Sequence, residues 1–306
     1  MHAAPKSAQA LRTSGGLLVL LATFGLAFKG IWARLAYAEG LSVSGVLFYR
    51  SLLSVPFVVG GGLWLLRRSE RGQALRQFSW RDYAPGAALG AMFSVGMVCD
   101  FEAIAQLGAS VSRVVLFGFP LVVLLLDAVS TRSLPNARKM LGFVLAWLGL
   151  FLVALHSGGG VTKNTDAGLT PLAWGVASMV FYALYVWISG RISKKLGSVR
   201  LTSVSNLATA AVVVVAVLIQ SAGVAPEVTG AALTWIVVMV IVSTVAPYFM
   251  LMEGIRRLGA AEASLLAMTG PLVTVAAGWL FLGEDLTWVQ LAGTAGTMLG
   301  VSVARG

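Results

Sequence analysis

The chain has 306 residues, 58% of them hydrophobic and only 11% charged, with a net charge of +10. Soluble domains carry about 25% charged residues, so a water-exposed globule is excluded and the composition reads as an all-α integral membrane protein. Its one cysteine, Cys99, rules out an internal disulfide or a cysteine-rich zinc site, and the two histidines, His2 and His156, lie far apart, so neither a metal nor a cofactor is expected.

Ten apolar runs of spanning length follow one another, at about 15–38, 43–66, 83–105, 109–130, 138–156, 170–190, 200–221, 229–253, 261–282 and 286–304. The first ends near Ala36-Tyr37-Ala38, which resembles a signal-peptide cleavage site. That site lies far beyond the apolar stretch Gly15–Phe28, and Lys29 and Arg34 intervene, so the run is read as a retained span. Phe24, Phe28 and Trp32 recur at i, i+4 and i+8, suited to a pocket wall or to lipid contact. Lys29, past the middle of this span, either meets a substrate carboxylate or snorkels to the outer interface.

Spans three and four form a tight hairpin centred between Leu107 and Gly108. Glu102 and Arg113 lie equally far from that centre, at a depth of about 8 Å at 1.5 Å per residue. They are expected to pair, as a structural ion pair or as an outer gate or substrate-charge clamp. Asp100, Glu102 and Glu253 are candidate proton acceptors, but the residues alone establish no coupling. Pro120 in span four and Pro271 in span nine each remove one helical hydrogen bond and are read as hinges or as static kinks. Span six carries Trp174, Ser178, Phe181, Tyr182 and Tyr185, and span eight carries Tyr248. Mid-membrane tyrosines give a pocket rigid apolar walls and a polar handle, unless they face lipid. The small-residue pairs Gly86/Gly90 and Gly296/Gly300 mark close helix packing, within the bundle or in a dimer. A monomer or weak homodimer is expected.

The positive charge sits in short loops, with no basic stretch interleaved with aromatics. It therefore points to a lipid bilayer and not to nucleic acid. With the N-terminus inside, 17 of the 22 Lys and Arg residues fall on cytoplasmic segments, and only Lys163 on the external loops proper. Both termini are thus placed in the cytoplasm, in a multi-pass protein of a bacterial-type cytoplasmic (inner) membrane.

The polar, Gly-rich segment 157–169 divides the chain into a first unit, 1–156, and a second, 170–306. Shifted by 151 residues, the first overlays the second: Glu102 on Glu253, Gly108-Ala109 on Gly259-Ala260, Pro120-Leu121-Val122 on Pro271-Leu272-Val273, Gly142 on Gly293 and Leu148-Gly149 on Leu299-Gly300. Upstream the best shift is 157, which places Arg34 on Arg191. Each unit holds five spans. An odd number inverts the second copy relative to the first, the arrangement that places a pathway at the repeat interface.

The segment Arg256-Arg257-Leu258-Gly259-Ala260-Ala261-Glu262-Ala263, with Gly270-Pro271-Leu272, Leu282-Gly283-Glu284 and the early Phe48-Tyr49-Arg50, resembles the EamA group of the drug/metabolite transporter superfamily. Within that group the chain looks most like aromatic amino-acid exporters of the YddG type. The first unit departs from the pattern, with Arg132-Ser133 where the second has Gly283-Glu284. The resemblance implies spans one, three, four, six, eight and nine around a central cavity, with Phe28, Lys29, Ser94, Phe117, Tyr182 and Tyr248 as candidate lining residues. It implies secondary or facilitated export of a small-molecule substrate, with aromatic or hydrophobic amino acids first and another metabolite or an organic cation as the alternative. No zinc-hydrolase, serine-nucleophile or nucleotide-binding motif occurs. A membrane enzyme or an ATP-driven pump therefore has little support, and for a channel, which inverted repeats would permit, no rings of like charge facing a pore are evident.

Overall fold

The computed structural model describes residues 6–69, 79–133, 137–156, 169–270, 272–273, 276 and 287–305. Among these there is no strand. That is the expected answer to a bilayer, where backbone groups have no water and must be satisfied within each segment. The helices are α1 (Lys6–Ala27), α2 (Lys29–Ala38), α3 (Val43–Ser69), α4 (Trp80–Leu116), α5 (Phe119–Thr131), α6 (Ala137–His156), α7 (Thr170–Leu196), α8 (Ser198–Gln220), α9 (Gly230–Val240), α10 (Ala246–Leu258), α11 (Ala260–Ala267) and α12 (Trp288–Arg305). Among the described residues seven segments are long and apolar enough to cross a membrane: Thr13–Ala38, Val43–Arg67, Trp80–Leu107, Val111–Thr131, Thr170–Leu196, Ser198–Gln220 and Gly230–Leu258. The 20-residue α6 and the shorter apolar stretch Leu291–Ala304 accompany them. Each falls on one of the expected runs. Most of the run 261–282 beyond Gly270, Pro271 included, lies outside the described residues.

Among the described residues four spans are interrupted. Span nine breaks at Met268–Thr269, just after α11, and the other three break earlier in the chain. Span one breaks at Phe28, where α1 ends and α2 starts through a tight bond from the Ile31 amide to the Phe28 carbonyl, 3.0 Å. Span four breaks at Phe117–Gly118, and Pro120 falls in the first turn of α5. This corrects the expectation of an interior kink: in a first turn the missing N–H is an orphan donor anyway, and proline's fixed φ suits the helix start. Span eight contains a π-helical turn, Ile241–Val245, just before Pro247, where the Thr244 hydroxyl donates to the Met239 carbonyl at 3.1 Å. The wider turn makes room for a proline that cannot donate.

Residues Trp80–Leu116 are helical throughout, yet the chain reverses within them. Asp100 and Arg113 would stand about 20 Å apart on a straight helix, but their side chains form an ion pair. Leu107 and Val115 likewise both approach Gly175 on α7. Spans three and four are therefore a hairpin.

Between residues 6–156 and 169–305, α1 packs along α10, α4 along α7 and α8, α3 along α8, and α6 along α12. Glycines set the closest approaches. A Cβ on Gly142 would lie 2.5 Å from the Gly300 carbonyl oxygen, and one on Gly149 would lie 2.5 Å from the Thr297 amide and against the Gly293 carbonyl. Residue numbers rise along α6 as they fall along α12, so the two helices run antiparallel. The Gly296/Gly300 face is thereby filled within the chain, which removes it as a dimer contact. Gly86 and Gly90 serve the same purpose against α8, at Leu201 and Ser205.

Candidate functional site

The interruptions at Phe28 and at Phe117–Gly118 flank a cavity of about 60 Å³, measured as space open to the centre of a water molecule. That is room for about four waters. Its walls come from spans one, three, four, six and eight and from Ala267 of α11. Aromatic rings form one side: Phe93 lies 6.2 Å from Tyr182, 5.9 Å from Tyr248 and 4.2 Å from Tyr185, and Phe119 meets Tyr182 edge-on at 4.7 Å. Thr23, Leu26, Phe117 and Ser178 complete much of the lining.

The polar end is an ion cluster. The Lys29 ammonium donates to Asp100 Oδ2 at 2.6 Å, and the Arg113 guanidinium pairs with Asp100 Oδ1. All three residues are buried and line the cavity. A single carboxylate thus ties spans one, three and four together. Lys29 does not snorkel: its ammonium turns inward to Asp100 and stands over the Phe101 ring at 5.6 Å. The expected Glu102–Arg113 pair is not formed. Glu102 is half-buried, accepts from the Gln106 amide at 3.1 Å and does not line the cavity. Successive helical residues are about 100° apart, so Asp100 and Glu102 face nearly opposite sides, and only Asp100 turns inward.

Of the other expected lining residues, Phe117, Tyr182 and Tyr248 are in the wall, whereas Phe28 and Ser94 are not. Phe28 belongs to an aromatic ladder, Phe24–Phe28–Trp32–Trp235, that joins span one to span eight. Ser94 is buried but donates to the Ala91 carbonyl of its own helix at 2.6 Å. The sequence reading missed Thr23, Phe93 and Phe119. Only Phe93 carried a usable signal, three residues before Gly96 on a span already known to be charged.

Behind the aromatic wall lies Arg50 of α3, 4% exposed. Its Nε donates to the Thr244 hydroxyl at 3.3 Å, a second nitrogen meets the Met97 sulfur, and its guanidinium stands over Phe101 at 5.6 Å. The Tyr248 hydroxyl adjoins it. The π-helical turn of span eight is what aims Thr244 at this arginine. A small polar void, about 10 Å³, separates Arg50 from Ser51, Ser54, Asn206 and Thr209, and shares Phe93 and Met97 with the main cavity.

A second ionic knot lies near the start of span one, at Ser14. Glu253 accepts from Arg256 at 2.6 and 2.7 Å, from Arg257 at 2.5 Å and from Ser198 at 2.5 Å, and Arg257 reaches Ser14 of α1 at 2.7 Å. Among the described residues no group of three or more His, Cys, Asp or Glu side chains could hold a metal ion.

The model of the EamA-like transporter family matches this chain twice, over residues 13–155 and 169–305. The chain belongs to the EamA-like transporter family. This EamA protein is 30% identical over 288 residues to the uncharacterized transporter YcbK of Bacillus subtilis (strain 168), covering 92% of this chain and 90% of that one. It is 24% identical over 295 residues to an uncharacterized transporter of Archaeoglobus fulgidus, covering 94% and 96% of the two chains. With the uncharacterized transporter sll1319 of Synechocystis it shares 24% identity over 306 residues, covering 91% and 89%. A solved crystal structure at 16% identity superimposes with a TM-score of 0.75 over 96% of both chains, a likeness of fold. The protein is a multi-pass membrane transporter and not an enzyme.

Proposed function

We propose that this EamA protein is a secondary or facilitated carrier of ten spans, built as two inverted five-helix units. It works by alternating access and exports a small amphipathic metabolite from the cytoplasm. The carrying observation is the cavity itself, closed in at the meeting of the two units, with one ionic knot near the start of span one and another past its middle.

The internal geometry supports the inverted repeat. Gly40 and Gly197, 157 residues apart, both turn with positive φ, +84° and +82°. Thr297 donates to the Ala146 carbonyl at 3.2 Å, across a separation of 151. A residue that touches its own repeat-equivalent sits on a two-fold axis. The contact of Gly142 with Gly300 becomes, under the same exchange, that of Gly293 with Gly149, which is also made. The packing of α1 on α10 exchanges with that of α4 on α7. The antiparallel course of α6 and α12 is what inversion requires of two equivalent helices. Orientation, with both termini cytoplasmic, rests on the distribution of basic residues.

Tyr182 and Tyr248, with Phe93 and Phe119, favour a substrate with an aromatic or hydrophobic side chain, and an amino acid is the first candidate from the family resemblance. Pro120 and Pro271 are the proposed hinge positions. Purified protein in liposomes tests the reading. Saturable counterflow of phenylalanine or a related solute is the expected result. Unsaturable ion current would indicate a channel, and no counterflow of any small metabolite would refute the carrier.

A further inference from the structure

Three cations converge on the cavity region, Lys29, Arg113 and Arg50, against one cavity carboxylate, Asp100. Asp100 is already engaged through both oxygens. Among the described residues no carboxylate lies within ion-pair distance of Arg50, whose partners are a hydroxyl, a sulfur, a ring face and the Tyr248 phenol. Arg113 retains a buried Nε with no hydrogen-bond partner. An isolated cation at this depth is costly and is ordinarily paired. Arg50 is held by neutral groups alone, and a substrate anion would supply the counter-ion it lacks. An ammonium entering the same space finds no free acid.

We propose that the central cavity is an anion site, and that the transported species is a small organic carboxylate of net negative charge. The substrate carboxylate would be drawn between Arg50 and the Lys29–Arg113 pair, with the side chain against Phe93, Tyr182 and Phe119. This rests on the carrier reading and narrows it, from amino acids to their anionic relatives. The neighbouring Glu102 is not counted, since it lines neither the cavity nor the small void beside Arg50.

The test uses three molecules that share one ring and differ in charge: phenylpyruvate, phenylalanine and phenethylamine. Each is added to the full-length protein in detergent, and binding is read from the shift in melting temperature. Phenylpyruvate should stabilise most, phenylalanine less and phenethylamine not at all. An equal or larger response to phenylalanine or to the amine overturns the proposal, as does no response to phenylpyruvate at any concentration up to solubility. Arg50→Gln supplies the second arm. It should weaken phenylpyruvate binding about ten- to hundredfold, the scale of a lost charged hydrogen bond. The ligand-free variant should melt no lower than the parent, because an uncompensated charge has been removed. A variant that fails to fold, or binds as the parent does, makes Arg50 structural and overturns the proposal. Counterflow of the same three molecules in liposomes separates the two readings. Exchange of the amine or amino acid in preference leaves a carrier without an anion site. Binding of phenylpyruvate without exchange of any solute leaves an anion site without a carrier.

Discussion

Asp100 holds two cations at once, Lys29 at 2.6 Å and Arg113 on its other oxygen, in a setting where each charge has given up its hydration. Removing one member of a buried ion pair leaves the others uncompensated and costs about 3–5 kcal/mol. Asp100→Asn should therefore lower the melting temperature and the yield of folded protein sharply. Glu102→Gln, whose carboxylate accepts from the half-exposed Gln106, should cost less than about 1 kcal/mol, as exposed polar pairs do. Size-exclusion melting curves in detergent would rank the two, and equal losses would contradict the assignment. The sequence made the importance of this hairpin legible, because charge inside a span is rare. It did not reveal which acid pairs, since depth follows from counting residues to the turn, whereas facing depends on the helix azimuth set by α7 and α8. Arg50 stood out only as part of a family signature. Its neighbours, Thr244 and Met97, come from two other spans, and no spacing along the chain joins them.

At the scale of the element, the glycines fall into two kinds. Gly142 faces the Gly300 carbonyl so closely that any side chain must push α6 from α12, whereas Gly60 on α3 has open space where a Cβ would go. Gly142→Leu is expected to lose about 1–3 kcal/mol or more through overpacking. Gly60→Ala should gain about 0.5–1 kcal/mol through helix propensity alone. Thermal melts distinguish them by sign. Pro120 offers a similar contrast. An interior proline costs about 3 kcal/mol, so its removal should stabilise the protein. In the first turn of α5, Pro120→Ala should instead lose about 0.4–1 kcal/mol, because the unfolded chain gains freedom. A gain in melting temperature would restore the interior-kink reading. Hydrophobic run length was enough to find the spans, because lipid demands it of every one. The break at Phe28 was not readable, since no proline stands there. That at Phe117–Gly118 was signalled by Gly118 and Pro120, but nothing showed that the proline would start a new helix. The π-helical turn before Pro247 was not legible either: Ser243 and Thr244 occur in ordinary helices too, and the proline alone does not say which way the helix accommodates it.

For the molecule as a whole, the two ionic knots bracket the cavity along span one. Arg257 of the Glu253 knot reaches Ser14, and Lys29 of the other knot lies 15 residues further on, about 22 Å at helical rise. Thr23 and Leu26 of the cavity wall stand between them. Each knot also ties span one to a different set of neighbours: spans three and four through Asp100, and spans seven and eight through Ser198 and Glu253. Under the proposed alternating access, opening a path to either side would mean parting one knot while the other holds. A change that weakens only one should shift the population toward openness on that side. Thr23, 4% exposed at the cavity wall, is a suitable reporter. In a protein carrying Cys99→Ala and Thr23→Cys, a membrane-impermeant thiol reagent should react slowly from both faces. Adding Glu253→Gln should speed labelling from the face nearer Ser14, and Arg113→Gln from the face nearer Glu39, each by about tenfold for every 1.4 kcal/mol of bias. Inside-out and right-side-out vesicles separate the two faces. Acceleration from the same face by both substitutions would show that the knots do not act as opposed latches, and no acceleration by either would confine them to holding the fold together.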